Sequence, residues 1–367
     1  MAKNDWAIVV GIMNYADPNL AGLQGPENDA TDFYNWVVAS DGGAVPSGQA
    51  ILIKSSDFHP PFKDPASAGP TAEAIKAAFD HLLSVADENE TNGLGRTIGD
   101  RLYLFFSGHG FAPAQNDDLT ALLTANASIA NAQLTHVIGS YMADKFWRGK
   151  FFSEILLFMD CCRSVMDCAQ LYMPYTIERA TDYDKVRRFY AYGARVAKEA
   201  REWKMPDGQY HGVFTRTLLD ALGGSGYDPH DPELITAESL RDQLYNGFKH
   251  FMSAADLARP DLPKEPQVVY EQKPDSNFTI VKRTTTLVQK LLGETSVKKY
   301  EVTIVASPAR VGSRAVVSDA KLVTVTEQTL AEKTKLSLEL GFYALTIAGE
   351  AQPIPFEVIG GGSEIRV

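Results

Sequence analysis

The fold is decided by two stretches, Arg101-Leu-Tyr-Leu-Phe-Phe-Ser-Gly-His-Gly110 and Glu154-Ile-Leu-Leu-Phe-Met-Asp-Cys-Cys-Arg-Ser164. Each begins with an apolar run and ends in small or polar residues. Runs that are apolar nearly throughout are typical of central strands covered on both faces. Open α/β sheets carry their ligands and catalytic groups just past the carboxyl ends of such strands. The two stretches therefore predict neighbouring strands with a functional loop at one edge of the sheet.

Further apolar runs and helical patterns alternate around these two stretches. Strands are also predicted at Trp6–Ile12, Ile51–Ile53 and Arg188–Tyr192. The predicted helices are Asn28–Val38, with Asn28 or Asp29 as its cap, Thr71–Val85, capped by Thr71, Gln133–Phe146, Phe214–Leu222 and Thr236–Met252. This alternation predicts an α/β/α sandwich with a mostly parallel sheet.

Past residue 274 the pattern changes to alternation with a period of two. The runs Tyr300–Val305, Lys321–Val325, Lys335–Leu340 and Phe342–Ile347 are separated by turn residues and predict a small all-β domain. We expect a first domain over residues 1–283, a linker over 284–298 and a β-sandwich-like domain over 299–367. The β domain contains no Cys or His, so we do not expect it to hold the chemistry. Its sequence leaves three roles open: partner binding, packing on the first domain, and self-association.

Composition narrows the possible functions. The chain has 367 residues and a net charge of -11, which argues against nucleic-acid binding, because proteins that bind phosphate backbones carry basic patches. The apolar run from Trp6 is too short for a signal peptide or a membrane span. Three cysteines, Cys161, Cys162 and Cys168, crowd into one stretch, which is a poor disulfide framework. We therefore expect a cytoplasmic protein with no membrane partner and with reduced thiols.

His109 and Cys162 are the residues that carry chemistry in this arrangement. A thiol with a pKa near ~8.5 is mostly protonated at neutral pH. An imidazole within reach can take its proton and later protonate a leaving amine. Either residue alone is more often a turn residue or an inert packing thiol. Together, past two strands, they predict a catalytic dyad, with the amides of Gly110 and Cys162 as oxyanion donors.

The spacing of this pair is that of a known family. His109 and Cys162 lie 53 residues apart, and in caspases the His lies about 50 residues before the catalytic Cys. Ser107-Gly-His-Gly110 followed by Asp160-Cys-Cys-Arg-Ser164 resembles the caspase/metacaspase superfamily, in its metacaspase and bacterial branch. The segments Trp6–Tyr15, Leu23–Ala30 and Gly212–Leu222 fit as well, so the resemblance covers about residues 5–275.

The resemblance implies a cysteine endopeptidase with a caspase-like fold. In the family motif Asp-x-Cys the second cysteine attacks, which is Cys162 rather than Cys161. The resemblance also places the pocket for the residue before the cut bond at Asp29, Ser107 and Asp160, and an acidic pocket favours a substrate Arg or Lys. It implies protein or peptide substrates and a role in regulated cell death, stress or defence.

Some alternatives remain open at this stage. Asp29 could cap a helix instead of binding substrate. Beyond Tyr192, Glu199 and Glu202 would favour a basic substrate, whereas Arg195 and Arg201 would favour an acidic one. His211 lies near the substrate side, although packing is the ordinary use of such a residue.

Cofactors and catalytic competence also carry alternatives. Many metacaspases need calcium, but Asn116-Asp117-Asp118 lacks the ligand spacing of a calcium loop. We therefore expect no metal or other cofactor and keep calcium activation as the alternative. The alternative function is an inactive caspase-like scaffold that assembles through its β domain, although a scaffold has no physical need for an intact dyad and an acidic pocket.

Overall fold

The computed structural model describes most of the chain in two compact units, Met1–Thr284 and Thr285–Val367. The described residues are 4–58, 64–129, 134–167, 170–198, 200–205, 208–251, 258–259, 265–269, 277–282, 300–319, 324–338, 341–350, 353–358 and 363–367. The predicted linker over 284–298 lies outside the described residues. Within them, no helix is long and apolar enough to cross a membrane.

The first unit is built on a parallel sheet. Its strands, in chain order, are β1 (Trp6–Gly11), β2 (Ala50–Lys54), β3 (Gly99–Gly108), β4 (Gly110–Pro113), β5 (Ala121–Leu123), β6 (His136–Ile138), β7 (Phe152–Cys161), β8 (Ser164–Met166), β9 (Arg187–Tyr192), β10 (Glu202–Lys204), β11 (Tyr210–Gly212), β12 (Leu234–Thr236), β13 (Gln267–Val269) and β14 (Thr279–Lys282). Six of them form the central sheet in the order β13-β9-β7-β3-β1-β2. All its pairings are parallel except that of β13 with β9.

Both faces of this sheet are covered by helices. The helices are α1 (Pro26–Val38), α2 (Ala72–Thr91), α3 (Gly139–Arg148), α4 (Val213–Asp220) and α5 (Ala237–Gly247). Successive side chains of a strand point to opposite faces, and β3 follows this rule. Leu104 and Phe106 belong to the core shared with α2 and α3, whereas Tyr103 and Phe105 belong to the core shared with α1, α4 and α5. The predicted sandwich with a mostly parallel sheet is confirmed.

Two of the predicted helices begin elsewhere in the structure. Helix α1 begins at Pro26 and has Gly25 as its N-cap, without a capping side chain, so the prediction that Asn28 or Asp29 caps it is wrong. A proline fits the first helical turn, because the N–H groups of that turn form no hydrogen bonds within the helix and the N–H that proline lacks is not needed. The predicted helix over 133–146 is too long, since His136–Ile138 is a strand that pairs with β5. Local periodicity cannot reveal that pairing. Thr71 does cap α2, accepting a hydrogen bond from the Ala74 N–H.

In the second unit, the regular secondary structure of the described residues is β strand, as predicted. Its strands are β15 (Tyr300–Val305), β16 (Arg314–Asp319), β17 (Thr324–Thr329), β18 (Lys333–Leu338), β19 (Gly341–Ile347), β20 (Ile354–Val358) and β21 (Ser363–Arg366). They form one sheet in the order β18-β15-β21 and another in the order β17-β16-β19-β20. Alternate apolar residues of both sheets, among them Ile304 and Leu345, share one buried cluster, as expected for two packed sheets.

Candidate active site

The register of the central sheet brings the two polar loops together. Strands β3 and β7 are parallel neighbours, and Ser107 pairs with Asp160 and Gly108 with Cys161. His109 directly follows Gly108, and Cys162 directly follows Cys161. The imidazole and the thiol therefore emerge at the same edge of the sheet, at the carboxyl ends of its strands, where such sheets carry their sites.

A cleft of about 410 Å³ opens at this edge. It is lined by every residue that the sequence predicts for the site, namely Asp29, Ser107, His109, Gly110, Asp160 and Cys162. These residues come from α1, β3, β4, β7 and the loops that follow the strands. A concave site with convergent polar groups is the expected form of an enzyme active site.

The ring of His109 is held by contacts on two sides. Its Nε2 lies 2.8 Å from the carbonyl oxygen of Ala21. Because a carbonyl only accepts hydrogen bonds, this contact assigns the ring proton to Nε2 and leaves Nδ1 as the acceptor. The His109 backbone N–H donates to the Tyr15 hydroxyl at 2.8 Å, and the Tyr15 ring packs against the imidazole with its centroid 4.9 Å away.

Gly108 permits this arrangement. Its φ is 153°, a backbone angle that residues other than glycine rarely adopt. A Cβ at this position would also lie 2.8 Å from the Tyr15 hydroxyl. Tyr15 thus fixes the position of His109 from a loop that follows a different strand. Sequence reasoning missed this contact because Tyr15 is 94 residues from His109 and the pattern of the segment Trp6–Tyr15 does not indicate a contact with His109.

The two adjacent cysteines have different environments. Cys161 is buried in the core, and burial raises the pKa of its thiol. Cys162 is half-buried and lines the cleft, where its Sγ lies 3.8 Å from the carbonyl oxygen of Ala200. A buried thiol without a base nearby stays protonated and inert, so these environments favour Cys162 as the nucleophile. Cys168 lies outside the described residues.

Asp29 is buried within helix α1 and faces the cleft. Its carboxylate accepts hydrogen bonds from His211 Nδ1 at 3.1 Å, from the Ser107 hydroxyl at 3.2 Å and from the Gly212 N–H at 3.1 Å. Burial raises the pKa of Asp29 above its ordinary value. The reading of Asp29 as a helix cap is excluded, because it lies inside the helix and its donors belong to distant segments.

Asp160 is the second buried carboxylate of the cleft. It accepts hydrogen bonds from the Thr215 N–H at 3.0 Å and from the Thr215 hydroxyl at 2.6 Å. Burial, followed by the charge of Asp29, raises the pKa of Asp160 to about 7. Gly212 gives the carboxylate room, because a Cβ at that position would lie 1.9 Å from Asp160 Oδ2.

The charged residues beyond Tyr192 differ in whether they line the cleft. The Glu202 side chain lines the cleft, and its carboxylate accepts hydrogen bonds from the backbone N–H groups of Gln24 and Gly25, at 3.0 and 2.8 Å. Arg201 also lines the cleft. Arg195 pairs with Glu265 instead, at 2.7 Å. Glu199 lies outside the described residues.

Arg163 follows the nucleophile and turns into the protein. It is 1% exposed, and its guanidinium donates to Gln267 and, at 3.0 Å, to the Asp117 carbonyl, and lies over the Tyr192 ring. In the described part of the chain, no group of three or more His, Cys, Asp or Glu side chains could hold a metal.

Sequence reasoning missed two partners of the acidic residues. His211 pairs with Asp29, and Thr215 holds Asp160. Both lie in the stretch His211-Gly-Val-Phe-Thr215, which follows β10 along the chain. A polar His and Thr flanking an apolar segment was the available signal, but their partners are 182 and 55 residues away.

Comparisons with known proteins agree with the geometry. A family model described as the caspase domain matches residues 4–274. A probable protease from a Desulfuromonadales bacterium is 30% identical over 234 residues, which are 60% of this chain and 26% of that protein. The chain thus spans about a quarter of the length of this curated relative.

Solved structures of caspases are also similar to this chain. The crystal structure of caspase-1 from Spodoptera frugiperda has a TM-score of 0.46 and 12% identity, and the match covers 77% of this chain and 92% of that one. The structure of pro-sf-caspase-1 has a TM-score of 0.40 and 12% identity, with coverages of 73% and 91%. The family match, rather than these two, carries the assignment.

Proposed function

The chain belongs to the caspase domain family of cysteine peptidases, and on that premise we propose that it is an endopeptidase with a His109–Cys162 dyad that cleaves after Arg or Lys. The observation that carries this proposal is the cleft itself. It is lined by the thiol, the imidazole and three carboxylates, those of Asp29, Asp160 and Glu202.

The reaction begins with a proton transfer and a nucleophilic attack. The Cys162 thiol gives its proton to His109 Nδ1, and the thiolate attacks the carbonyl carbon of the substrate peptide bond. The amides of Gly110 and Cys162 stabilise the oxyanion that forms. The C–N bond then breaks as the imidazolium protonates the leaving amine, and a thioester remains on Cys162.

Water completes the reaction. His109 takes a proton from water, the hydroxide attacks the thioester carbonyl, and the C–S bond breaks to release the new carboxyl terminus. The thiolate recovers the proton from the imidazolium. The Ala21 carbonyl supports both half-reactions, because it accepts a hydrogen bond from Nε2 and this bond becomes stronger when the ring is charged.

The carboxylates of the cleft support a basic residue before the cut bond. A guanidinium or ammonium group donates charge-assisted hydrogen bonds to carboxylates. The cation also favours ionisation of Asp160. This matters because burial and the charge of Asp29 raise the pKa of Asp160 to about 7. An acidic substrate side chain would instead place a fourth negative charge among Asp29, Asp160 and Glu202. Arg201 is the charge on the lining that opposes this preference.

The family supports a proposal for the substrates and another for the pathway. Caspase domains act on proteins, so we propose protein substrates. A role in regulated cell death, stress or defence rests on the family resemblance alone.

Substrate profiling with matched cysteine variants tests the proposal. A fluorogenic peptide library that varies the residue before the cut bond should show cleavage after Arg and Lys. Cys162→Ala should lower kcat/KM by at least about 10⁴-fold, because removing a nucleophile leaves only the contributions of binding and the oxyanion site. Cys161→Ala is the control and should keep kcat/KM while losing about 1 kcal/mol of stability.

Two outcomes would contradict different parts of the proposal. Unchanged cleavage by Cys162→Ala would exclude the dyad. A library dominated by Asp before the cut bond would exclude the acidic pocket but leave the dyad in place. The rate of iodoacetamide labelling of Cys162 provides a readout without substrate. Labelling should remain fast below pH 8 in the native protein, whereas in His109→Ala it should become fast only near pH ~8.5.

A further inference from the structure

His211 lies behind the acidic wall of the cleft. It belongs to β11, where it pairs with Trp203 of β10, and it is 2% exposed. Its Nδ1 lies 3.1 Å from Asp29 Oδ1, and Asp29 is itself 1% exposed. The adjacent Gly212 N–H donates to the same carboxylate. A buried imidazole thus contacts, through one hydrogen bond, a carboxylate that lines the candidate substrate pocket.

The charges around His211 are mostly negative. Helix α1 contributes Asp29 and also Asp32, whose carboxylate lies 3.9 Å from the imidazole. Helix α4 contributes Arg216, which lies 3.7 Å from Asp32 at the partly exposed side of the group. Asp160 of β7 and Glu202 of β10 also line the cleft, and both lie next to Gly212. Arg201 precedes Glu202 and lines the cleft as well.

We infer that His211 determines specificity as a positioning residue: as an imidazolium it keeps Asp29 ionised and oriented towards the basic side chain of the substrate. This inference rests on the proposed function. Three carboxylates around one cleft repel each other, and one of them would otherwise take up a proton. The buried imidazolium removes part of that repulsion without blocking the cleft, because it contacts Asp29 from behind.

The titration of these groups agrees with the geometry. The hydrogen bond that His211 donates to Asp29 raises the pKa of His211 above its ordinary value, although burial opposes this. The pKa of Asp160 is raised to about 7 by burial and then by the charge of Asp29. Because His211 contacts Asp29 and the charge of Asp29 raises the pKa of Asp160, we expect the charge on His211 to influence the protonation of both carboxylates.

The test separates the charge of His211 from its hydrogen bond. His211→Asn can still donate to Asp29 but carries no charge, whereas His211→Ala removes both. KM and kcat are measured from pH 5.5 to 9 with two peptides that differ only in Arg or its neutral isostere citrulline before the cut bond. In His211→Asn, Asp29 and Asp160 hold a proton more tightly, so the acidic limb of kcat/KM for the Arg peptide should move up by about one pH unit, a tenfold rise in KM near pH 6.5.

Other features of the result identify the cause. The difference between His211→Asn and the native protein should disappear above about pH 8.5, where the carboxylates are ionised in both. The change should be in KM rather than kcat, and the citrulline peptide should show no such shift. A His211→Asn profile that superimposes on the native one, or a shift equal for both peptides, would overturn the inference.

A second measurement does not depend on turnover. NMR titration of the His211 imidazole should give a midpoint above that of an exposed histidine, and Asp29→Asn should lower it by at least about one unit. Equal midpoints in the two proteins would overturn the inference. If native protein prefers Arg no more than citrulline, the proposed pocket fails, and the NMR result still decides whether the charged pair exists.

Discussion

Two buried carboxylates at opposite ends of the central sheet, Glu154 and Asp160, have different hydrogen-bond partners. At the amino ends of the strands, Glu154 forms ion pairs with both Arg101 and Arg187. Arg101 also donates to the backbone carbonyls of Thr279 and Ile280. At the carboxyl ends, Asp160 accepts its hydrogen bonds from neutral groups among the described residues, namely the N–H and the hydroxyl of Thr215.

The difference shows how one scaffold separates structure from function. A buried carboxylate that is fully paired with cations has little to offer a ligand, and it joins the segments that supply those cations. A buried carboxylate with neutral donors is not neutralised within the protein, so a cationic substrate can form an ion pair with it. Glu154 therefore joins neighbouring segments at one end of the sheet, whereas Asp160 lines the cleft at the other end with hydrogen bonds from neutral donors.

The largest expected effect is on stability, at the amino end. Arg101→Met removes the cation and leaves Glu154 with Arg187 alone, so we expect a loss of about 3–5 kcal/mol in the free energy of unfolding. Urea denaturation measures this loss. Arg96→Met is the matched control, because the Arg96–Asp87 pair is exposed and should be worth no more than about 1 kcal/mol.

Activity measurements decide whether the comparison holds. Under conditions where the Arg101→Met protein is folded, its kcat/KM for Arg peptides should equal that of the native protein. A fall in kcat/KM without a loss of stability would show that the amino end takes part in catalysis.

The second effect is a dependence of stability on pH that Asp160 causes at the carboxyl ends of the strands. The pKa of Asp160 is about 7 in the folded protein and about 3.9 in an unfolded chain. The folded state therefore binds the proton more tightly, so this group's contribution is fully present below about pH 4 and is lost as the pH rises to about 7. Three pKa units correspond to at most about 4 kcal/mol.

Asp160→Asn provides the comparison for this prediction. The variant cannot ionise, so its free energy of unfolding should fall less than that of the native protein between pH 4 and 7. Asp160→Asn should also bind Arg peptides more weakly. Parallel pH curves for the two proteins would mean that Asp160 is already ionised at low pH and that the charge at this end is balanced.

The smallest effect concerns Tyr15. Tyr15→Phe removes the hydroxyl that accepts from the His109 N–H while keeping the ring against the imidazole. The lost hydrogen bond should cost about 1–2 kcal/mol and lower kcat by about tenfold with KM little changed, because it orients His109 rather than the substrate. Steady-state kinetics measure this, and a rise in KM alone would place Tyr15 in substrate binding.

Much of the fold could be predicted from particular residues. The apolar runs before Ser107 and Asp160 identify buried strands because only central strands lack a polar face, and Thr71 identifies the start of a helix by its own side chain. The predictions failed where the deciding partner is distant. Ile138 pairs in a sheet with Ala121, and helix α1 starts at Pro26 rather than at the polar residues that follow.

The sequence by itself determined the family and the candidate dyad, because the spacing of His109 and Cys162 and the strands before them are local properties of the chain. Only the tertiary structure decided which charges are balanced. Asp29 meets His211 across 182 residues, and Glu154 meets Arg101 across 53. The energy of a buried charge depends on its burial and on its partners, and both are properties of the folded chain.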